Sequence, residues 1–218
     1  MEIHIPSLLL YLVGAAIHLI FCLLPAKSGR AVTKCFMMPL LLAFYILTAS
    51  TVSWLVVTAV LMGWLGDVFL IFARKKICFF IGLGAFLSGH AAYTVEFVRR
   101  TTLTVSPGPS IFLLFALLVM AGILAYLSLR KHMENDLIPP AIAYLAIIVC
   151  MAGSASLYAF QEPAIMQPSM LVFPGALLFM LSDYVLARGM FIGETRYGAF
   201  FVMLTYLSAQ FLIVLGLC

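Results

Sequence analysis

The chain has 218 residues, of which 65% are hydrophobic and 9% are charged, and its mean hydropathy is +1.19. Because an ordinary soluble domain carries roughly 25% charged residues, this composition excludes that class and indicates an integral membrane protein. The net charge of +4 comes from basic residues that stand singly or in small groups between apolar runs. Such a distribution is typical of topology signals and argues against a nucleic-acid-binding face.

The first apolar run follows Glu2 instead of a basic segment and is long for a signal peptide, so we interpret it as a retained helix. A membrane-spanning helix needs about 20 mostly apolar residues. Runs of this kind leave no room for a soluble domain, which predicts one all-α integral membrane domain over residues 1–218. The eight predicted helices are 6–24, 35–50, 52–73, 76–98, 110–129, 137–160, 168–187 and 197–217.

Basic residues are concentrated in alternate connections between these helices. Since cytoplasmic loops are enriched in Lys and Arg, the pattern predicts that both termini lie on the non-cytoplasmic side. The membrane would be the plasma (inner) membrane of a bacterium or an endomembrane of a eukaryote. The odd-numbered connections carry Lys27, Arg30, Lys34, Arg74, Lys75, Lys76, Arg130, Lys131, Arg188 and Arg196, and the even-numbered ones carry only Arg99 and Arg100.

Two carboxylates lie deep within predicted spans. Asp67 precedes Arg74 by seven residues and Asp183 precedes Arg188 by five. At 1.5 Å per residue, each lies roughly 8–10 Å inside the cytoplasmic end of its helix. A carboxylate at that depth costs several kcal/mol unless it faces a partner or a water-filled cavity. The matched depth in two spans therefore favours a functional site over two unrelated structural partners.

A weak internal similarity accompanies the two carboxylates. Asp67 is followed after 23 residues by His90, and Asp183 after 23 residues by Tyr206, with the letters "GAF" between the members of each pair. This spacing suggests two parallel halves of four helices each, an arrangement that membrane proteins use to build a central site.

Sequence motifs for a metal or a nucleophile do not appear. A hydrolytic zinc site needs three converging His, Cys or carboxylate ligands. Of the four histidines, His4 lies in the tail and His132 in a loop, so a metal bound by Asp67, Asp183 and His90 is possible but not favoured. The sequence also contains no GxSxG nucleophile elbow and no glycine-rich phosphate loop.

Several stretches resemble the YhhN-like, lysoplasmalogenase family of multi-pass membrane proteins. They are "GWLGDVFLIF" and "FIGLGAFLSGHAAY" in the first half, and "IPPAIAYLAIIVCM", "GALLFMLSDYVLA" and "YLSAQFL" in the second. In one departure from the family pattern, four residues separate Lys34 from Pro39, which argues against a role for Lys34. The most specific matches are Gly66-Asp67, His90-x-x-Tyr93, Ser182-Asp183 and Tyr206-x-x-Ala209-Gln210.

The resemblance implies an eight-helix hydrolase that cleaves the vinyl ether bond of a lysophospholipid substrate, the lysoplasmalogen. The products would be a fatty aldehyde and glycerophosphoethanolamine or glycerophosphocholine. Hydrolysis begins with proton transfer to carbon and passes through an oxocarbenium ion, a problem that glycosidases solve with two carboxylates. Asp67 and Asp183 are therefore predicted to form a catalytic pair that holds a single proton near neutral pH, with no cofactor.

The remaining site residues have supporting roles in this hypothesis. His90 or Tyr93 would orient the water or the leaving oxygen. Tyr206 and Gln210 would line the cavity, and Ser182 is a further supporting residue. Counted from the helix ends, His90 and Gln210 lie about 21 Å deep, so without helix tilt they would line the acyl-chain tunnel instead. The candidates for binding the lipid phosphate are Arg74, Lys75, Lys76 and Arg188.

Two other functions are compatible with the same residues. Buried carboxylates at matched depth and parallel repeats also describe a proton-coupled transporter, which would move a solute across vesicles without changing it chemically. A non-catalytic scaffold or lipid sensor would tolerate the loss of both aspartates, because buried charges are often a net cost. The partners expected in every case are lipids of the bilayer, and the sequence does not define the oligomeric state.

Overall fold

A computed structural model of the protein describes residues 2–102, 108–161 and 167–218. Over these residues the chain forms eight helices that are long and apolar enough to cross a membrane, and no strand. This confirms the predicted all-α membrane protein. The helices are α1 (Ile5–Leu23), α2 (Lys27–Thr48), α3 (Trp54–Ile71), α4 (Lys76–Arg100), α5 (Pro109–Arg130), α6 (Ile138–Ala159), α7 (Val172–Phe191) and α8 (Gly198–Leu217). Short 3-10 segments, Asn135–Leu137 and Pro168–Leu171, lead into α6 and α7.

The start of α2 differs from the prediction. The helix begins at Lys27 and not at residue 35, so Lys27, Arg30 and Lys34 belong to it and not to the first connection. Hydropathy places the boundary too late because it counts each basic residue as a cost. Long basic side chains can extend to the membrane surface or bind a buried acid, and the helix then continues through them. Arg188, also assigned to a connection, lies within the last turn of α7.

Seven of the helices form a closed bundle. Going around it, α1 contacts α2, α2 contacts α3, α3 contacts α4, α4 contacts α6, α6 contacts α7, α7 contacts α8, and α8 returns to α1. The most extensive packing joins α3 to α4 and α7 to α8. Helix α5 lies outside this ring, against α6 and, less extensively, α7. It is consequently the least buried of the eight helices within the protein.

Close helix packing depends on glycine at a few positions. A Cβ atom built on Gly216 of α8 would lie 2.8 Å from the carbonyl oxygen of Pro168 and 2.6 Å from Cγ2 of Val172. Small residues at such contacts allow neighbouring membrane helices to approach closely. A Cβ atom built on Gly84 of α4, in contrast, would have nothing within 4 Å, so this glycine is not needed for packing.

We expect Gly216→Ala to destabilise the fold and Gly84→Ala to leave it unchanged or slightly more stable. Overpacking typically costs about 1–3 kcal/mol, whereas alanine at an open helical site gains up to about 1 kcal/mol over glycine. Thermal unfolding of the purified variants in detergent measures the difference. Equal unfolding midpoints for the two variants would contradict the packing at Gly216.

A cluster of one buried glutamate and two arginines holds together the end of the bundle that is opposite the odd-numbered connections. Glu96 is completely buried and accepts hydrogen bonds from Arg99 Nη2 at 2.9 Å and from Arg100 Nε at 2.6 Å. Arg99 also donates to Ser53 Oγ at 3.2 Å, and Arg100 donates to the Leu217 carbonyl at 2.8 Å. The cluster therefore ties the start of α3 and the ends of α4 and α8 together. It also explains the two cations at this end, since Glu96 offsets part of their charge.

Candidate active site

Asp67 on α3 is the centre of a buried polar network. One carboxylate oxygen lies 3.0 Å from Lys34 Nζ on α2, and the other accepts a hydrogen bond from the Tyr206 hydroxyl on α8 at 2.9 Å. The Gln210 amide lies beside this hydroxyl, and its oxygen accepts a 2.7 Å hydrogen bond from Tyr93. The expectation that Lys34 has no role is therefore wrong, because its ammonium group balances the charge of the buried carboxylate.

Asp183 on α7 has different surroundings. Its Oδ2 accepts a 2.7 Å hydrogen bond from the Tyr144 hydroxyl on α6, and His90 Nε2 on α4 lies 3.7 Å from the same oxygen. The side chain is 17% exposed, compared with 2% for Asp67. Asp183 is thus the more accessible of the two carboxylates. Among the described residues, His90 is the only basic side chain within ion-pair distance of it, whereas Asp67 has a lysine.

The His90 imidazole is held by aromatic packing rather than by hydrogen bonds. Its ring centre lies 4.5 Å from that of Phe179 and 5.4 Å from that of Tyr144, both in edge-to-face geometry. The Phe86 backbone one turn earlier lies near the ring, but neither ring nitrogen makes a hydrogen bond of standard geometry within the described part of the chain. A buried imidazole without such partners is uncommon.

Each carboxylate meets a residue from the other half of the sequence. Asp67 binds Tyr206, and Asp183 lies beside His90. Tilt and packing of the helices therefore remove the depth difference of about 10 Å that residue counting gives. The alternative in which His90 lines a tunnel beyond the aspartates is wrong. The Tyr93 hydroxyl points to Gln210 and not to Asp183.

The two carboxylates do not form one directly bonded pair. Within the described residues each has its own partners and no hydrogen bond joins them, although they lie close enough to interact electrostatically. Aromatic rings pack around the Tyr206 side chain, with Phe86 at 6.0 Å and Phe179 at 5.4 Å between ring centres. The shared proton stays a prediction. No three His, Cys, Asp or Glu side chains converge anywhere in the described ranges, so Asp67, Asp183 and His90 do not make a common metal site.

A cavity of about 590 Å³ opens beside Asp183. It is enclosed by α4, α5, α6 and α7 and the end of α3, and its few polar groups include Tyr144, Tyr184 and Ser128. The deepest lining residue on α6, Ile148, lies ten residues after the helix start, or about 15 Å from that end. The lining does not include Asp67, Tyr206 or Gln210, so a role for Tyr206 and Gln210 in lining the substrate cavity stays a prediction.

The other predicted site residues have simpler positions. Ser182 is buried and donates to the Val202 carbonyl at 3.0 Å, which ties α7 to α8. Arg74 and Lys75 are exposed in the turn between α3 and α4, whereas Lys76 forms an exposed ion pair with Asp136. Together with Arg188, all of these basic residues lie at the end of the bundle where the cavity begins.

Sequence reasoning misses Lys34 and Tyr144 as site residues. The position of Lys34 near a helix end is typical of a topology signal, which is the usual meaning of a lysine there. Tyr144 lies within "IPPAIAYLAIIVCM", one of the stretches that resemble the family, but nothing in its spacing relates it to Asp183. A tyrosine within a membrane helix does predict a polar partner, since its hydroxyl group needs one in an apolar environment.

The YhhN family model matches residues 29–217, which include both carboxylates and all their partners. The chain belongs to the YhhN family. Relatives include the membrane protein YhhN of Escherichia coli O6:H1, 26% identical over 82% of this chain and 81% of its own length. Lysoplasmalogenase TMEM86B of Mus musculus is 28% identical over 75% of the chain and 63% of its own length, and that of Homo sapiens 32% over 62% and 52%. No solved structure is significantly similar.

Proposed function

We propose that this YhhN-family protein is a membrane hydrolase that cleaves the vinyl ether bond of lysoplasmalogens. The products are a fatty aldehyde and glycerophosphoethanolamine or glycerophosphocholine. The observation that carries the proposal is the Asp183 carboxylate in the wall of a mostly apolar cavity that is about 15 Å deep. The mouse and human relatives named lysoplasmalogenase support the choice of substrate.

Asp183 is the proton donor in this mechanism because it faces the cavity. Its proton moves to the vinyl carbon that does not carry oxygen, and the double-bond electrons form the new C–H bond. The positive charge is then shared by the other vinyl carbon and the ether oxygen. Water adds to that carbon and returns a proton to the Asp183 carboxylate. The resulting hemiacetal breaks its bond to the glycerol oxygen, transfers its hydroxyl proton to that oxygen and leaves an aldehyde.

Asp67 supports this chemistry from behind the cavity wall. Lys34 and Tyr206 hold it in one orientation, and its negative charge favours the cationic intermediate through the low-dielectric interior. Tyr144 orients the Asp183 carboxylate, and the unpaired His90 ring beside it positions the attacking water. Proton transfer and charge stabilisation are then divided between two aspartates with separate environments, as in other enzymes that use carboxylate pairs.

The lipid phosphate binds at the basic end of the cavity. Arg188 follows Asp183 by five residues, which is about 7.5 Å along α7. In a lysoplasmalogen only the glycerol unit separates the phosphate from the vinyl ether, so a phosphate at the level of Arg188 brings the double bond to the level of Asp183. We assign this end to the cytoplasmic side, with both termini opposite, because it carries most of the basic residues.

We also propose that the chain consists of two parallel halves of four helices each. Asp67 and Asp183 occupy equivalent positions in the two halves, as do His90 and Tyr206. The cross-pairing of Asp67 with Tyr206 and of Asp183 with His90 is the reciprocal pattern that a two-fold relation between the halves produces.

Aldehyde release tests the proposed activity. Purified protein is given a 1-alkenyl lysophospholipid and, in parallel, the 1-acyl lysophospholipid with the same head group. We expect fatty aldehyde from the first and no hydrolysis of the second, since an ester has no vinyl carbon to protonate. Absence of aldehyde from folded protein would overturn the proposal. If sealed vesicles then showed protein-dependent uptake of an unaltered solute, the two aspartates would belong to a transporter.

A further inference from the structure

We infer that the substrate enters the cavity sideways from the bilayer, through a gap between α4 and α5. This inference rests on the proposed function for the choice of ligand, a phospholipid with a single hydrocarbon chain. The gap itself is a feature of the fold. Helices α4 and α5 both line the cavity, but within the described residues α5 packs on α6 and α7 and has no extensive packing on α4.

The equivalent position in the other half of the bundle is closed. If the chain consists of two parallel halves, α5 corresponds to α1 and α4 corresponds to α8. Helix α1 packs directly on α8, where the Tyr11 hydroxyl donates to the Leu207 carbonyl at 2.9 Å and the Tyr11 ring stacks on Phe211 at 5.6 Å. The separation of α5 from α4 is therefore a departure from the packing of its counterpart, and the cavity occupies the space between them.

The gap is open at the depth of the hydrocarbon. Leu124 on α5 lines the cavity and is nevertheless 60% exposed. It lies six residues before the end of α5 at Arg130, or about 9 Å inside the helix end. An opening at this depth communicates with lipid chains and not with water. The α5 face that lines the gap, which includes Ala121, Leu124 and Ser128, ends shortly before the basic pair Arg130 and Lys131.

The depth of the cavity and the position of its basic end fit a single-chain phospholipid. The cavity is about 15 Å deep, which is the thickness of one leaflet, half of a hydrocarbon core of about 30 Å. A lipid moving sideways thus keeps its chain at the same depth and its phosphate beside the basic helix ends. Its vinyl ether then reaches Asp183 without the head group crossing apolar protein, which would be costly.

Photolabelling tests the route without relying on catalysis. The probe is a 1-alkyl lysophosphatidylcholine with a diazirine in the middle of its chain. It has no vinyl ether, so the proposed reaction cannot cleave it. In vesicles, we expect labelled peptides to contain gap residues such as Leu83 and Leu124, with several-fold less label at Leu127. Leu127 is the matched comparison because it is 58% exposed on the same helix and does not line the cavity. Equal labelling of Leu124 and Leu127 would overturn the route.

A kinetic comparison separates entry from chemistry. Leu124→Trp should slow aldehyde release from a long-chain alkenyl lysophospholipid in vesicles by about tenfold, within the range over which mutations alter association rates. It should slow hydrolysis of a short-chain, water-soluble alkenyl glycerophosphate much less, and Leu127→Trp should leave both rates unchanged. Equal loss with both substrates would locate the damage in the cavity and refute the route. Labelling of the gap by a protein that releases no aldehyde would keep the route and reject the hydrolase.

Discussion

Asp183→Asn should reduce fatty aldehyde release by about 10²–10⁴-fold, the usual contribution of a general acid. The asparagine amide has the shape of the carboxyl group and can still accept a hydrogen bond from Tyr144, so the fold is preserved. What is lost is the acidic proton in the cavity wall. The measurement is the turnover of 1-alkenyl lysophospholipid by the variant after its unfolding midpoint has been shown to match that of the wild type.

Asp136→Asn is the matched control for this prediction. Asp136 is also a carboxylate at the basic end of the bundle, but it is exposed and paired with Lys76 at the surface. Its replacement should leave aldehyde release within about twofold of the wild type, because exposed ion pairs contribute little. Activity of Asp183→Asn within the same range would remove Asp183 from the chemistry and leave the hydrolase, if present, without its proposed acid.

Lys34→Met should destabilise the folded protein by about 3–5 kcal/mol, because it leaves the Asp67 carboxylate buried without its cation. Methionine retains much of the length of the lysine side chain, so the change removes the charge with little change in packing. The double variant Lys34→Met/Asp67→Asn removes both charges and should recover most of the lost stability. Reversible unfolding of the purified proteins in mixed micelles measures both free energies.

Lys27→Met shows whether the effect is specific. Lys27 lies on the same helix, two turns before Lys34, but it is exposed. Its replacement should alter the free energy of unfolding by no more than about 0.5 kcal/mol, as for most surface substitutions. A Lys34→Met variant as stable as the wild type, or a double variant no more stable than the single one, would contradict the buried ion pair.

The sequence predicts the helices well because a membrane span is defined by its length in apolar residues. The start of α2 is the main error, and it has a specific cause. Lys34 can lie on a membrane helix because Asp67 on the next helix compensates its charge, and a residue-by-residue scale has no way to include a partner. Asp67 and Asp183 can be identified from sequence for the opposite reason, because their cost in an apolar helix is evident without knowing what they contact.

The geometry of the site is less accessible from the sequence. Counting residues along straight helices separates His90 from Asp183 by about 10 Å, whereas the two side chains are 3.7 Å apart. The sequence also does not predict the cavity. Helix α5 is apolar on all sides, so its composition does not distinguish the face towards the cavity from the face towards lipid. Only the way in which α5 packs on α6 creates the space.

The ion pair between Lys34 and Asp67 also affects how the protein is made. Lys34 belongs to α2 and is synthesised before Asp67, which belongs to α3. A lone lysine or aspartate within a spanning segment is costly during insertion, by up to about 2.5–3.5 kcal/mol at the helix centre. Because each charge offsets the other, α2 and α3 are most easily released into the bilayer together, as a hairpin. Substitution of either residue should therefore impair membrane insertion first, before the folded protein forms.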